Sequence, residues 1–243
     1  MHPLVFLAIL LTSVWTIACR SPSHELELGS NTVRLYAPPP VFRGIENAVL
    51  ESTAKTIGRV SSALGLRNVT VDIAFDSRRS IPGYGVGGYT PNARSVLIWL
   101  DPTASNVPDL ISRRLAWIVA HELHHSVRWR TPGYGSTLLE AMVSEGLADQ
   151  FALQVLGGTT PPWTSALSTE DVASVHQRAA SAMNVDGYDH AEWFFGSGSI
   201  PRWAGYTLGF NIVRRYLESN PGSTPAGLVD IPASKLRPQW APE

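Results

Sequence analysis

A single cysteine, Cys19, stands among 243 residues, so no disulfide can form within the chain and no cysteine-ligated zinc finger can be built. Charge is thin as well: 16% of residues are charged, against about 25% in an ordinary globular chain. With 19 Lys+Arg against 20 Asp+Glu the net charge is −1, and no run of Lys or Arg exceeds a pair. That excludes the basic field through which proteins hold nucleic acid. No apolar stretch after the first twenty residues approaches the roughly 20 residues that a bilayer-spanning helix needs. What the chain does have is 44% hydrophobic residues, eight Trp and 18 Pro, enough for a full core interrupted by many loops.

The N-terminus has its own pattern. Leu4 to Ala18 (LVFLAILLTSVWTIA) is a mostly apolar run, too short to span a bilayer and of the length of a signal-peptide core. Thr16-Ile17-Ala18-Cys19 resembles a bacterial lipobox, in which the signal is cut before the cysteine and that cysteine carries lipid. Thr16 stands where Leu is usual and Met1-His2-Pro3 has no basic residue, so a plain signal peptide is the competing reading. The expectation is export to the cell envelope, with membrane contact through a lipid on Cys19. Residues 1–18 then form the signal, 19–40 a polar tether and 41–243 a single domain.

Within that domain the hydrophobic periods change along the chain. Thr32–Tyr36 reads as a strand before Pro38-Pro39-Pro40. From Val41 to Leu64, apolar residues at three- and four-residue steps predict an amphipathic helix ending at Gly65. Val69, Val71, Ile73 and Phe75 alternate as in a half-buried strand, and Arg94–Leu100 reads as a more buried one. The glycine-rich stretch Gly83–Gly88 between them fits either a mobile flap or a hairpin turn. Helices are expected over Val107–Trp129, Thr137–Leu156, Thr169–Met183 and Arg202–Glu218. Strands early and helices late make the fold class α+β.

The chemistry centres on His121-Glu122-Leu123-His124-His125. Residues four apart lie one turn apart on the same helix face, so His121 and His125 can present two imidazoles to one ion. Glu122 then flanks the ion without binding it, as a base for water requires. From composition alone, such an HExxH would arise by chance in about one chain in a hundred. His124 has the wrong spacing for a ligand and is assigned to polar packing, with a place beside the metal as the alternative.

A zinc site that does chemistry takes three protein ligands and keeps a fourth position open. A metzincin pattern would need Gly at 128 and His at 131, where this chain has Arg128 and Thr131. A cysteine ligand is excluded by the position of Cys19. There remains a carboxylate on the next helix, as in gluzincins, and Glu140 and Glu145 compete for the role. Thr137-Leu138-Leu139-Glu140 matches a capping box, which gives Glu140 a structural occupation. Glu145, four residues before Asp149, resembles the ExxxD element of thermolysin-like gluzincins. That resemblance implies Glu145 as zinc ligand and Asp149 as the group that orients a ligand histidine. The small residues Gly146 and Ala148 would let this helix pack close to the HExxH helix.

Three stretches taken in order, HELHHSVR, LLEAMVSEGLADQFA and IPRWAGYTLGFNIVRRYLE, resemble a largely uncharacterised family of predicted zinc-dependent proteases with exported members. The similarity covers roughly Gly83 to Leu217. It implies a compact gluzincin-like domain with a small N-terminal sheet, the HExxH helix, a glutamate-bearing helix and further C-terminal helices. Tyr206, three residues before Gly209, resembles the Tyr-x-x-Gly element whose hydroxyl stabilises the tetrahedral intermediate in gluzincin aminopeptidases; His176 and His190 compete for that task. The function expected is a Zn²⁺-dependent peptidase acting on a peptide or protein substrate. Its rival is a catalytically silent zinc-binding or peptide-binding envelope protein, against which the intact Glu122 argues.

Overall fold

The computed structural model describes residues 21–236. The apolar run Leu4–Ala18 and Cys19 lie outside them. Among the described residues no helix is long and apolar enough to cross a membrane. The chain divides into two compact units, with the boundary between Ser126 and Val127.

The first unit is built on a five-stranded mixed sheet in the order β1-β2-β3-β5-β4. Its strands are β1 (His24–Leu28), β2 (Asn31–Leu35), β3 (Thr70–Phe75), β4 (Val86–Asn92) and β5 (Ser95–Leu100). β2, β3 and β5 run parallel, and the two outer strands, β1 and β4, pair antiparallel to them. Val33, Leu35, Val71, Ile73, Val96, Ile98 and Leu100 are wholly buried. β1 occupies part of the polar stretch that composition assigns to a tether. Its two leucines alternate with two glutamates (HELEL), enough for a half-exposed edge strand but too few for a recognisable run.

Helix α1 (Glu46–Leu64) begins later than its apolar spacing predicts, because Pro40–Phe42 forms a separate 3₁₀ turn and Gly44 bends the chain at φ +85°. It ends where expected, with Gly65 at φ 61° accepting the left-handed conformation that a side chain resists. Val49, Ile57 and Val60 line its buried face, each worth roughly 1.5–3 kcal/mol of hydrophobic stabilisation.

The long helix expected from Val107 is three pieces. Val107–Asp109 is a single turn capped by Asn106, and Leu110–Leu115 is π-helical. Regular helix follows as α2 (Ala116–Arg128), which carries HELHH. A π segment widens the turn and shifts which side chains share a face, a device found often near functional sites.

The second unit is helical: α3 (Leu138–Leu156), α4 (Thr169–Ala182) and α5 (Ala204–Ser219). α3 is buried along most of its length, from Leu138 through Ala152, so its apolar residues surround it instead of forming one stripe. Its core partners include Val175, Phe194, Leu208, Ile212 and Val213. Gly146 faces Gly209 of α5: a Cβ on Gly146 would lie 2.1 Å from the Gly209 carbonyl oxygen, and one on Gly209 would lie 2.0 Å from that of Met142. The small residue at 146 therefore serves the α3–α5 crossing, a partner that sequence spacing did not indicate.

Candidate metal centre

On α2 the four-residue spacing does what helix geometry dictates. The rings of His121 and His125 meet edge-on with centroids 4.7 Å apart, and their Nε2 atoms are 3.0 Å apart. Two nitrogens on one tetrahedral zinc, each about 2.0–2.1 Å from it, stand about 3.3 Å apart. The pair is thus near the separation that a shared ion requires. His124 is fully buried, with its ring 6.4 Å from that of His125.

The two competing glutamates of α3 stand in different surroundings. Thr137 caps the helix, its Oγ1 accepting from the Glu140 amide at 3.3 Å, and the Glu140 carboxylate folds back to accept from the amides of Thr137 and Ser136 at 3.0 and 2.9 Å. Hydrogen bonds from the Thr137 amide first, then from the Ser136 amide and the Thr137 hydroxyl, hold its pKa below the usual glutamate value. Glu145 lies about one and a half turns further on, where α3 is buried. Among the described residues, His121, His125 and Glu145 form a group able to hold a metal ion. One ligand atom from each lies within 4.8 Å of the others, and all three residues are buried. Two imidazoles and one carboxylate are the donor set that zinc takes with an open fourth position.

Around Glu145 stands a wall of aromatic residues. Tyr134 donates its hydroxyl to Glu145 Oε1 at 2.6 Å. Burial first, then the nearby Glu145 charge, pushes the Tyr134 pKa well above its ordinary value, so the phenol keeps its proton and remains a donor. The Tyr188 hydroxyl and His190 Nδ1 are 2.9 Å apart, and His190 stacks on Phe194 at 4.4 Å. Burial lowers the pKa of His190, although the Glu145 charge acts in the opposite sense. Tyr206 is half-buried, edge-on to Phe194 with ring centroids 4.9 Å apart. Gly205 makes room for that packing, since a Cβ there would lie 2.6 Å from the Phe194 ring. His176 is buried on α4, where burial and then the Arg215 charge lower its pKa. Asp149 is fully buried and accepts from Trp163 Nε1 at 2.9 Å.

The end of α2 is tied to the start of α3. Buried Arg128 donates through Nε to Ser144 Oγ at 3.0 Å, and through Nη1 to the carbonyls of Val229 and Ile231 at 2.9 and 3.0 Å. Burial lowers its pKa to about 10, leaving it charged at neutral pH. Ser144 in turn donates to the Tyr134 carbonyl at 3.0 Å. The residue before Glu145 therefore fixes both the loop that carries Tyr134 and the last residue of the histidine helix.

Sequence reasoning missed Tyr134, Tyr188 and Thr90. Tyr134 sits in a Gly-rich loop (TPGYGS) with no periodic signal, and only folding brings it to Glu145. Thr90 donates to Glu122 Oε2 at 2.7 Å from strand β4. β4 takes up the second half of the glycine-rich stretch, with Gly83 and Gly85 forming a turn at φ 77° and 82° before it. The more buried strand read over Arg94–Leu100 is β5, flanked by β3 and β4, and β4 is the edge.

An HExxH helix followed by a helix bearing a buried glutamate is the arrangement of a gluzincin-type metal site. The chain belongs to the family described as "Predicted Zn-dependent protease (DUF2268)", whose model matches residues 50–237. It is 30% identical over 132 residues to the uncharacterized protein YjaZ of Bacillus subtilis, and 26% identical over 138 residues to the uncharacterized protein YjfC of the same organism. These alignments cover 51% of this chain in both cases, with 50% of YjaZ and 44% of YjfC. The chain thus spans about half the length of the curated relatives it matches.

Proposed function

We propose that this protein is a zinc-dependent peptidase, with His121, His125 and Glu145 as metal ligands and Glu122 as general base. The observation that carries the reading is the convergence of two imidazoles and one carboxylate, buried and within 4.8 Å of one another, beside a glutamate that the helix sets next to the first ligand. When bound, zinc supplies Lewis acidity, making water more acidic and polarising a carbonyl oxygen. Glu122 takes the proton of the attacking water and delivers it to the leaving amine nitrogen. Asp149 orients a ligand histidine by accepting from its second ring nitrogen. Tyr206 supplies a hydroxyl to the developing oxyanion, a donor typically worth about 3 kcal/mol. His190 is the rival for that role: with Nδ1 engaged by Tyr188, its Nε2 is the nitrogen left to donate.

The edge strand β4 gives an extended substrate backbone a place to pair, by strand addition. Export and lipid attachment at Cys19 belong to the same proposal, and place the peptidase at the cell envelope.

The test is Glu122→Gln. The variant is expected to keep one zinc per chain by metal analysis and to lose nearly all hydrolysis of a broad peptide library that the wild type cleaves. Unchanged hydrolysis would overturn the assignment. Zinc bound by the wild type with no library member cleaved would favour the catalytically silent binder.

A further inference from the structure

Strand β4 holds more than an edge. Between the paired positions Tyr89↔Leu97 and Asn92↔Ser95, two residues of β4, Thr90 and Pro91, stand opposite the single Val96 of β5. That two-against-one count is a β-bulge, a feature that re-aims side chains next to active sites, and Pro91 brings no amide proton to the ladder. Gly88 and Thr90, two apart, share one face of the strand, and both touch the same side chain of α2. The Thr90 hydroxyl lies 2.7 Å from Glu122 Oε2 and 2.9 Å from the Glu122 carbonyl oxygen, with its single proton to share between them. At Gly88 there is no space at all: a Cβ would lie 2.5 Å from Glu122 Cγ, 2.6 Å from Oε1 and 2.7 Å from Ile118 Cγ2.

These two residues do different jobs on one carboxylate. Gly88 lets the side chain lie flat against the strand, and Thr90 ties down one oxygen while also gripping the backbone of the helix turn that carries it. Thr90 is buried, so water cannot readily replace its hydroxyl. A glutamate side chain has three rotatable torsions, and a general base must stay within hydrogen-bond reach of its proton donor. Misplacement by about 1 Å is enough to cost roughly a hundredfold in rate.

We propose that Thr90 is a positioning residue for Glu122, and that the bulged edge strand, with Gly88, is the seat that holds the general base in one rotamer. The inference rests on the peptidase reading above but makes its own claim. Thr90 is not a zinc ligand, and its loss leaves the metal in place.

Thr90→Val keeps the shape and removes the hydroxyl; Thr90→Ser keeps the hydroxyl. Against the best library peptide, Thr90→Val is expected to lower kcat by about ten- to a hundredfold, the range for losing a hydrogen bond to a charged group. KM and zinc affinity, measured by chelator competition, should stay within about threefold, a change smaller than one hydrogen bond to a charged group represents. Thr90→Ser should recover most of the lost kcat. In a crystal structure of metal-free Thr90→Val, the Glu122 carboxylate should have left its place against Gly88, a readout independent of any substrate. A carboxylate still seated there, an unchanged kcat, or zinc affinity falling in step with kcat would each overturn the inference. Glu122→Gln run in parallel separates the levels. If that variant is inactive while Thr90→Val matches wild type, only the positioning role fails; if Glu122→Gln is active, the assignment of the base fails as well.

Discussion

The hydroxyl of Tyr134 donates to Oε1 of Glu145 at 2.6 Å, in the wall of a helix that is buried on every side. A carboxylate ligand with one oxygen held by a neutral donor has its other oxygen directed by the same bond. Outer partners of this kind are typically worth about 10–100-fold in metal affinity. Tyr134→Phe is therefore expected to weaken zinc binding by at least about tenfold, in the range of such partners, while leaving the fold intact. Chelator competition and circular dichroism check the two halves, and unchanged affinity would show that Glu145 needs no such support.

Arg128 leads to a prediction about stability. Its guanidinium is buried and bonded to Ser144 Oγ and to the carbonyls of Val229 and Ile231. Arg128→Met leaves those acceptors without a donor in a dry place, which should cost at least about 2 kcal/mol in chemical denaturation. Because Ser144 precedes Glu145, zinc affinity should fall too, and a loss of stability alone would argue against the link.

The α3–α5 crossing depends on two glycines. Gly209→Ala would set a methyl 2.0 Å from the Met142 carbonyl oxygen, and the obstacle is backbone, which cannot rotate aside. The helices must separate, and overpacking of this kind costs typically about 1–3 kcal/mol or more. Thermal denaturation of Gly209→Ala and Gly146→Ala measures it. Gly58→Ala serves as the control, since nothing lies within 4 Å of a Cβ there and alanine favours helix.

The capping box predicts a pH dependence. Amide hydrogen bonds from Thr137 and Ser136 lower the Glu140 pKa from its ordinary 4.5. Between that lowered value and 4.5 the unfolded chain binds more protons than the folded one, so stability rises with pH across the window. The contribution is complete above the unfolded pKa and is lost as pH falls through the folded one. Glu140→Gln should destabilise at pH 7 by about 1 kcal/mol, as capping substitutions do, and the difference from wild type should shrink on acidification. Urea denaturation at pH 7 and pH 3 distinguishes this from a pH-independent effect.

Much of this was legible in the chain because the interactions are local. His121 and His125 share a face by helix geometry, the Thr137–Glu140 cap spans one turn, and Gly65 stops α1. These relationships need only φ and ψ, and the residue types at fixed offsets reveal them. The break of the Val107–Trp129 helix into a turn, a π segment and α2 was not legible, since its apolar spacing is compatible with unbroken helix. Nor was β1, whose leucines are too few to stand out from the polar residues around them.

The sequence by itself determined the donor types: two imidazoles one turn apart, an adjacent glutamate, and two later glutamates of which one had a cap to make. Tertiary structure alone decided what surrounds them. It set Tyr134 on Glu145, closed β4 around Glu122 through Thr90 and Gly88, and turned Gly146 toward Gly209. Those contacts join residues far apart along the chain or on different elements, and their energies depend on packing and burial that no local pattern encodes.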